Sequence, residues 1–402
     1  MSAPTSHPRI LIAGGGAGGL TSALALIDRG YPVTVYEQAG ELRELGAGVQ
    51  IGPNGARVLT ELGLRAALDG VVCEAAGKEA RIWNTGETFP LFDLGGDCIA
   101  RFGAPYWTAH RRDLQRVLAE AVEQRRPGTI RLGARAAGVT QHEGGVRLRL
   151  ADGDEIEGDA LIGADGVHSA IREALFGAGP AEFTGLMAWR GLVPMDSLPV
   201  HLRRPVGTNW MGPGSHVVTY PVRRGELLNF VGVVERDDWR VESWTERGTW
   251  EECAGDFAGW HADVHTIIRA VETPFKWALL GRPPMPKWAE GRVCLLGDAC
   301  HPTLPFLAQG ANMAIEDGLV IARCLDAEPG DPAAAFRRFE RARMERTARV
   351  VRGSSDNTKR FHNAVLADPA SAVEYIRREM APEKLRTRYD WAYEYDARNA
   401  PV

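Results

Sequence analysis

The sequence lacks long apolar runs and any excess of positive charge. Its 402 residues include 47 lysines and arginines against 52 aspartates and glutamates, for a formal net charge of -5. A helix that spans a bilayer needs about 20 consecutive apolar residues, and a nucleic-acid-binding surface needs a basic field. We therefore expect no membrane span and no nucleic-acid partner.

Cysteine is scarce, and its spacing does not indicate a metal site. The six cysteines are scattered, and none forms a Cys-x-x-Cys or zinc-like pair. We expect reduced, mostly buried thiols and no bound metal. The first eight residues contain no lysine or arginine and lead into no apolar secretory core, so we predict a cytoplasmic location.

What the sequence does contain is a glycine-rich loop between an apolar strand and a helical pattern. Residues 10–13 are apolar, and the loop that follows has Gly-x-Gly-x-x-Gly spacing. Its members are Gly14, Gly16, Ala17 and Gly19. The first glycine of such a loop permits a tight turn, the second lets a pyrophosphate approach, and the third allows close packing of helix and strand. The helix N-terminus offers free N–H groups to the anion.

A second strand pattern, over residues 33–36, ends at Glu37. A carboxylate at this place can accept hydrogen bonds from ribose hydroxyls. A glycine triplet alone also occurs in structural turns, but here strand, loop, helix, strand and acid follow in order. The pattern predicts a bound dinucleotide.

Two further motifs each follow a buried strand pattern. They are the Gly-Ala-Asp-Gly turn at residues 163–166 and the Gly-Asp-Ala-Cys-His-Pro run at residues 297–302. Together with the N-terminal loop, over about residues 9–350, they resemble the class A flavoprotein monooxygenases, aromatic hydroxylases built like 4-hydroxybenzoate hydroxylase. Within this family, the sequence pattern is most similar to that of the enzymes acting on salicylate, 3-hydroxybenzoate and 6-hydroxynicotinate.

The resemblance implies FAD as the bound dinucleotide. It implies that Asp298 binds the ribityl chain, that Arg111 contacts FAD, and that Asp165 touches both FAD and NAD(P)H. The alternatives are that Asp298 caps the following turn, that Arg111 is a surface arginine, and that Asp165 belongs to an ordinary turn. The low-bulk loop at residues 45–50, which ends at Gln50, either lies against the flavin ring or is an ordinary loop. The helix opening at Gly310, Ala311 and Asn312 is expected to point N–H groups at the flavin.

No second glycine fingerprint follows a strand, so a separate nicotinamide domain is not visible in the sequence. This agrees with the hydroxylases, in which NADH or NADPH visits the flavin transiently. The sequence does not distinguish between the two nicotinamides.

The candidate substrate residues lie on one strand pattern and on one loop. His216 and Tyr220 share a strand face because side chains alternate, and they could hold a phenol and a carboxylate. A near-neutral His216 could accept the phenolic proton, although a satisfied core histidine is the alternative. Pro305 and Phe306 are expected to roof the flavin. Relatives acting on 3-hydroxybenzoate carry glutamine at the position of Pro305, and those acting on 6-hydroxynicotinate carry histidine at the position of Phe306. Because this chain has neither polar group, a more apolar pocket is expected here.

The predicted fold class is α/β. It comprises a Rossmann-like FAD-binding domain, an inserted, mostly antiparallel β-sheet substrate domain and C-terminal helices. The boundaries predicted are 1–77, 101–179 and 278–330 for the FAD-binding domain, 78–100 and 180–277 for the substrate sheet, and 331–402 for the helices. The arginine run at residues 337–349 is interpreted as a solvated helix face.

The functional hypothesis is an FAD-dependent monooxygenase that uses NAD(P)H and O2 to hydroxylate a small hydroxylated aromatic acid. The resemblance implies oxygen transfer from a flavin C4a-hydroperoxide. A flavin dehydrogenase or reductase without oxygen insertion is one alternative, and a non-enzymatic flavin redox module is another. The relatives also suggest a homodimer.

Overall fold

The structure is a computed structural model that describes residues 7–41, 47–177, 179, 182–236, 238 and 246–402. Its strands are β1 (Ile10–Ala13), β2 (Val33–Tyr36), β3 (Gly48–Ile51), β4 (Val72–Glu74), β5 (Gly77–Ile82), β6 (Thr88–Asp93), β7 (Trp107–His110), β8 (Ile130–Arg131), β9 (Ala136–His142), β10 (Gly145–Leu150), β11 (Glu155–Gly158), β12 (Ala160–Gly163), β13 (Glu182–Pro194), β14 (Val206–Gly212), β15 (Ser215–Val222), β16 (Leu227–Glu235), β17 (Phe275–Gly281), β18 (Ala289–Glu290) and β19 (Val293–Leu295). Its helices are α1 (Ala17–Ile27), α2 (Pro53–Glu61), α3 (Arg65–Asp69), α4 (Gly96–Phe102), α5 (Arg111–Arg125), α6 (Ala170–Phe176), α7 (Trp250–Asp256), α8 (Ala262–Ala270), α9 (Gly310–Ala327), α10 (Pro332–Phe361), α11 (Pro369–Glu379) and α12 (Pro382–Tyr393).

A six-stranded sheet in the order β18-β19-β12-β1-β2-β8 forms the first layer. All its pairings are parallel except that of β18 with β19. The strand β1 is fully buried, and the next helix, α1, packs against α5 and α9. Since the carboxyl ends of parallel strands meet at one edge, the loops after β1, β2, β12 and β19 come together there.

A seven-stranded sheet in the order β17-β13-β16-β15-β14-β5-β6 forms the second unit. Its pairings are antiparallel except that of β14 with β5. Its strands come from two separate parts of the chain, residues 77–93 and 182–281. The α/β fold class with an inserted antiparallel sheet is confirmed, whereas the domain boundaries stay a prediction.

A small antiparallel sheet, β3-β7-β4, packs against the second large sheet and the helix α9. The Thr108 hydroxyl on β7 donates to the carbonyl oxygen of Pro221 on β15. The backbone N–H of Gly48, at the start of β3, donates to Oδ1 of Asn229 on β16 at 2.7 Å. These bonds seat the loop before Gln50 on the second sheet; residues 45 and 46 of that loop lie outside the described residues.

The C-terminal helices correct one interpretation of the sequence. The helix α10 packs against α9, and the arginine run is not uniformly solvated. Arg337, Arg341 and Arg349 are exposed, but Arg343 is fully buried and the side chain of Arg346 is only 8% exposed. Both point toward carboxylates on α9, so these two arginines are structural ion-pair partners.

Two other observations concern the whole chain. All six cysteines are free and buried, as predicted. Among the described helices, none combines the length and apolar composition needed to cross a membrane.

Candidate active site

Two adjoining cavities lie where the six-stranded sheet meets the seven-stranded one. The larger, about 600 Å³, follows the carboxyl ends of β1, β2 and β12. The smaller, about 240 Å³, lies between the second sheet and the start of α9. Arg111 and Asp298 line both cavities, so an elongated ligand could occupy the two together.

The glycine loop borders the larger cavity, and its backbone tolerates no other residue at two positions. Gly14 has φ +108°, and a Cβ there would lie 2.2 Å from the Ala164 carbonyl oxygen. A Cβ on Gly19 would lie 2.0 Å from the Gly14 carbonyl oxygen. Gly16 lines the cavity, and its Cβ would meet no atom within 4 Å. Since α1 begins at Ala17 without a side-chain cap, its free N–H groups and this open space suit a phosphate.

Glu37 stands beside this loop at the end of β2. Its Oε2 accepts from the backbone N–H of Gly15 at 2.6 Å, and its Oε1 accepts from that of Ala39 at 2.9 Å. The carboxylate therefore holds the glycine loop against β2. It also lines the larger cavity, where its remaining lone pairs can accept from hydroxyl groups.

Asp298 provides the best test of whether a flavin dinucleotide fits. It lies in a 3-10 turn after β19, and its side chain faces both cavities. Its side chain is exposed in the open cavities, desolvation by the surrounding protein raises its pKa, and within the described residues its carboxylate accepts no hydrogen bond. Its lone pairs are therefore open to a ligand in the cavities, and the hydroxyls of a ribityl chain would supply donors for them. The residues present therefore fit FAD.

The turn that carries Asp298 is fixed by a buried charge network that the sequence analysis missed. Asp317 on α9 accepts from the backbone N–H of Gly297 at 3.0 Å and from Nε2 of His301 at 2.6 Å. Its other oxygen accepts from Nε of Arg343 at 2.6 Å. The neighbouring Glu316 pairs with both Arg343 and Arg346. An acidic pair within an otherwise apolar helix was the signal that could have indicated this network.

Two predicted cofactor residues have their side chains occupied by the protein. Asp165 accepts from the Ser169 hydroxyl at 2.5 Å and from the backbone N–H of Ile171 at 3.1 Å, so it caps α6 while lining the larger cavity. Asn312 donates to the backbone oxygen of Gln50 at 3.0 Å and accepts from the N–H of Gly52 at 2.9 Å. It thus ties the β3 loop to α9.

The remaining predicted cofactor residues meet around the smaller cavity. Gly310 and Ala311, at the start of α9, line it together with Gln50 and Arg111. The N-cap residue of α9, Gln309, makes no side-chain capping bond. The helix thus presents unsatisfied N–H groups toward the cavity.

The floor of the smaller cavity is one face of the second sheet. Lys78 on β5, Asn209 on β14, and His216 and Tyr220 on β15 all line it. The opposite walls are largely apolar and include Pro305, Phe306, Leu307, Phe361 and Met380. The structure thus brings the predicted substrate residues together and adds Lys78, whose position the sequence analysis did not assign.

His216 is 1% exposed and has one ring nitrogen engaged. Its Nδ1 lies 2.6 Å from Nε2 of His362, and its ring packs edge-on against Phe306 at 4.9 Å. Burial holds the pKa of His216 well below its usual range, so the imidazole is neutral. Burial raises the pKa of Tyr220, so its hydroxyl stays protonated and cannot act as a base.

Lys78 is a partly buried amine without a carboxylate partner among the described residues. Its Nζ donates to the Tyr106 hydroxyl at 2.9 Å, and that hydroxyl donates to Oε1 of Gln50 at 2.7 Å. The adjacent carboxylate, Glu79, is paired with Arg81. Burial lowers the pKa of Lys78 to about 8. A partly buried cation beside a cavity is the counter-charge that an anionic ligand would meet.

Comparison with known proteins identifies the family. A family model for an FAD binding domain matches residues 8–354. A 3-amino-4-hydroxybenzoate 2-monooxygenase of Streptomyces platensis is 41% identical over 399 residues, which cover 99% of this chain and 98% of the relative. The chain belongs to the FAD-dependent aromatic hydroxylases.

Two further comparisons support the assignment of the chain to this family. A 6-hydroxynicotinate 3-monooxygenase of Pseudomonas fluorescens is 35% identical over 402 residues, covering 99% of this chain and 97% of the relative. The crystal structure of Klebsiella pneumoniae HpxO complexed with FAD and uric acid has a TM-score of 0.82 at 27% identity and covers 99% of this chain and 98% of that one. The predicted family, enzyme class and FAD cofactor are therefore confirmed. The alternatives without oxygen insertion gain no support.

Proposed function

We propose that this hydroxylase uses NAD(P)H and O2 to hydroxylate an aromatic carboxylic acid whose ring hydroxyl lies para to the carboxylate. The observation that carries the proposal is the placement of a cation, Lys78, and a neutral imidazole, His216, on one face of the cavity floor. The two relatives described above are named for acids, 3-amino-4-hydroxybenzoate and 6-hydroxynicotinate, that carry a hydroxyl in this para position.

The strand register supports a substrate with groups at opposite ends. Lys78 pairs with Gly207 on β14, and the register of Thr208 with Thr219 brings Gly207 beside Tyr220. On β15, His216 lies four residues before Tyr220. At the usual rise of a strand, the backbone positions of these two residues are about 13 Å apart. A carboxylate near Lys78 and a hydroxyl near His216 are therefore spanned better by para than by ortho substituents.

Each residue then has a distinct task. Lys78 provides the counter-charge for the carboxylate, and the protonated Tyr220 donates a hydrogen bond. His216 accepts the phenolic proton at Nε2, which raises the electron density of the ring. Phe306, Phe361 and the other apolar walls keep water out.

The glycine loop, Glu37, Arg111 and Asp298 would hold FAD across the two cavities. When bound, FAD supplies the electrons taken from NAD(P)H and activates O2. Pro305 and Phe306 line the smaller cavity together with Asp298, so their loop would help to enclose the cofactor beside the substrate. Homodimerisation and a cytoplasmic location stay predictions.

The experiment is a substrate panel with isotope labelling. NADH or NADPH oxidation by the FAD-loaded enzyme is measured with ortho-, meta- and para-hydroxylated benzoates, aminohydroxybenzoates and hydroxypyridine acids. We expect the greatest stimulation by para-hydroxylated acids, and incorporation of label from ¹⁸O₂ into the product. The primary amides of the same acids serve as the matched control for the carboxylate. A preference for an ortho-hydroxylated acid would overturn the para assignment, and unlabelled product would overturn oxygen insertion.

A further inference from the structure

Three side chains form a hydrogen-bonded line from the cavity to the protein surface. His216 lies on β15, His362 follows α10, and Glu235 ends β16. Nδ1 of His216 lies 2.6 Å from Nε2 of His362, and Nδ1 of His362 lies 2.9 Å from Oε1 of Glu235. The side chain of His362 is 1% exposed, whereas that of Glu235 is 56% exposed. The line therefore begins beside the substrate cavity and ends in solvent.

Hydrogen-bond chemistry determines the direction of this line. An ionised carboxylate only accepts, so Nδ1 of His362 must carry the proton that it shares with Glu235. Nε2 of a neutral His362 then has a lone pair, and it accepts from Nδ1–H of His216. Nε2 of His216 is left with a lone pair and, among the described residues, has no hydrogen-bond partner. Because His216 lines the cavity, this lone pair is the one a substrate hydroxyl can reach.

We propose that Glu235 and His362 are positioning residues that hold His216 in the base-competent tautomer and conduct the substrate proton to solvent. The proposal rests on the proposed function, since it concerns the proton of a phenolic substrate. It assigns roles to two residues that no sequence motif indicated, one of them from the C-terminal region.

The proton transfers balance over one turnover. When the phenol binds, its O–H bond breaks and an N–H bond forms at Nε2 of His216. The proton on Nδ1 of His216 passes to Nε2 of His362, the proton on Nδ1 of His362 passes to Glu235, and one proton leaves to solvent. On hydroxylation a C–O bond forms at a ring carbon, the C–H bond there breaks, and that hydrogen leaves as a proton. The ring oxygen then regains a proton from Nε2 of His216, and the transfers run in reverse and restore the starting tautomers.

The surroundings of the two histidines favour neutral imidazoles that exchange protons. The rings of Phe306 and Phe361 pack on His216 at 4.9 and 5.3 Å. The titratable group that shifts the pKa of His216 is His362, and the charged group that shifts the pKa of His362 is Glu235. Burial lowers the pKa of both histidines, and Glu235 opposes this for His362. A neutral pair linked to an exposed carboxylate can transfer a proton without retaining a buried charge.

The first test uses the FAD-loaded enzyme without substrate. Nitrogen-15 NMR of labelled histidines, assigned with His216→Asn and His362→Gln variants, reports which ring nitrogen carries the proton. We expect His216 as the Nδ1–H tautomer in wild type and a mixture of tautomers in His362→Phe, where no acceptor remains. His362→Gln, whose amide oxygen can accept, should restore the Nδ1–H form. An Nε2–H tautomer in wild type would overturn the proposal, whatever the substrate is.

The second test measures proton transfer, with 4-hydroxybenzoate and 3-amino-4-hydroxybenzoate as probes. Stopped-flow absorbance follows phenolate formation on binding. We expect at least a tenfold slower step in His362→Gln, with KM changed less than twofold, and a smaller slowing in Glu235→Gln that Glu235→Asp relieves. Glu226→Gln, which changes another exposed carboxylate, is the control and should match wild type. A His362→Gln rate within twofold of wild type would overturn the relay.

The two proposals fail in different ways. If no aromatic acid stimulates NAD(P)H oxidation by wild type, the proposed function fails and the conducting role fails with it, while the NMR result still decides the tautomer. If wild type hydroxylates a phenolic acid and its His362 variants transfer the proton normally, only the relay fails.

Discussion

Nε of Arg343 lies 2.6 Å from Oδ1 of Asp317, and neither side chain reaches solvent. The other carboxylate oxygen of Asp317 holds the Gly297 N–H and His301. Through these bonds, the pair between α10 and α9 fixes the turn that presents Asp298 to the cavities. An arginine from the C-terminal helix thus supports the predicted flavin site without lining either cavity.

Arg343→Leu should therefore destabilise the protein strongly. Removing one partner of a buried ion pair leaves an uncompensated charge and costs about 3–5 kcal/mol. Here Glu316 would retain Arg346, but Asp317 would lose its only arginine among the described residues. Denaturant unfolding of the FAD-loaded protein measures the loss. Arg341→Leu, at an exposed position of the same helix, should change stability by about 0.5 kcal/mol or less. Equal effects from the two variants would contradict the structural role of Arg343.

Gly16→Ala should weaken FAD binding without weakening the fold. A Cβ at this position meets no protein atom within 4 Å, yet it projects where a pyrophosphate would approach the loop. We expect at least a tenfold rise in the flavin dissociation constant, or about 1.4 kcal/mol, with the unfolding midpoint of the flavin-free protein unchanged. Flavin fluorescence titration measures the affinity. Gly255→Ala, which also meets no atom within 4 Å, is the matched control. Wild-type affinity in Gly16→Ala would place the phosphates elsewhere.

Lys78→Met should raise KM for aromatic acids. Hydrogen bonds to charged groups contribute about 1.5–3 kcal/mol, so we expect a rise of roughly tenfold to a hundredfold in KM. The amide of the same acid should lose little affinity, because it carries no charge for the lysine to neutralise. Steady-state kinetics with acid and amide make the comparison, and Lys359→Met, at an exposed site, is the control. An equal loss for acid and amide would show that Lys78 does not bind the carboxylate.

The pH dependence of KM should identify the same amine. Burial lowers the pKa of Lys78 from 10.5 to about 8. Its amine is charged below that pH and neutral above it, so KM for an aromatic acid should increase as the pH rises through about 8. In Lys78→Met this increase should disappear. Initial rates between pH 6.5 and about 9.5 test the expectation, and an unchanged pH profile in the variant would assign the titration to another group.

His216→Asn should uncouple NAD(P)H oxidation from hydroxylation. Without a base the phenol keeps its proton, and the less electron-rich ring reacts more slowly; loss of general base catalysis is worth about 10²–10⁴-fold. NAD(P)H would still be consumed while hydrogen peroxide replaced the hydroxylated product. Product and peroxide are quantified together, with His142→Asn, at an exposed site, as the control. Coupling at the wild-type level would exclude His216 as the base.

Some of the site could be predicted because its geometry is local. The turn at Gly14, the packing at Gly19 and the carboxylate of Glu37 lie within one strand-loop-helix-strand unit, and the φ of +108° at Gly14 is what that motif requires. Asp298 follows a buried strand, and the structure places its carboxylate at both cavities, while its contact with FAD stays a prediction. The arginine run was misinterpreted because the acids that bury Arg343 lie on another helix, 26 and 27 residues away.

By itself the sequence determined the α/β fold class, the FAD cofactor and the membership in the aromatic hydroxylases, since each depends on contiguous residues with a characteristic spacing. Only the tertiary structure decided that Lys78 shares a floor with His216, that His362 and Glu235 continue the line to solvent, and that Asp165 and Asn312 are engaged by the protein. Sheet register and helix packing join residues far apart in the chain, such as His216 and His362 at a separation of 146, and no local pattern records those pairings.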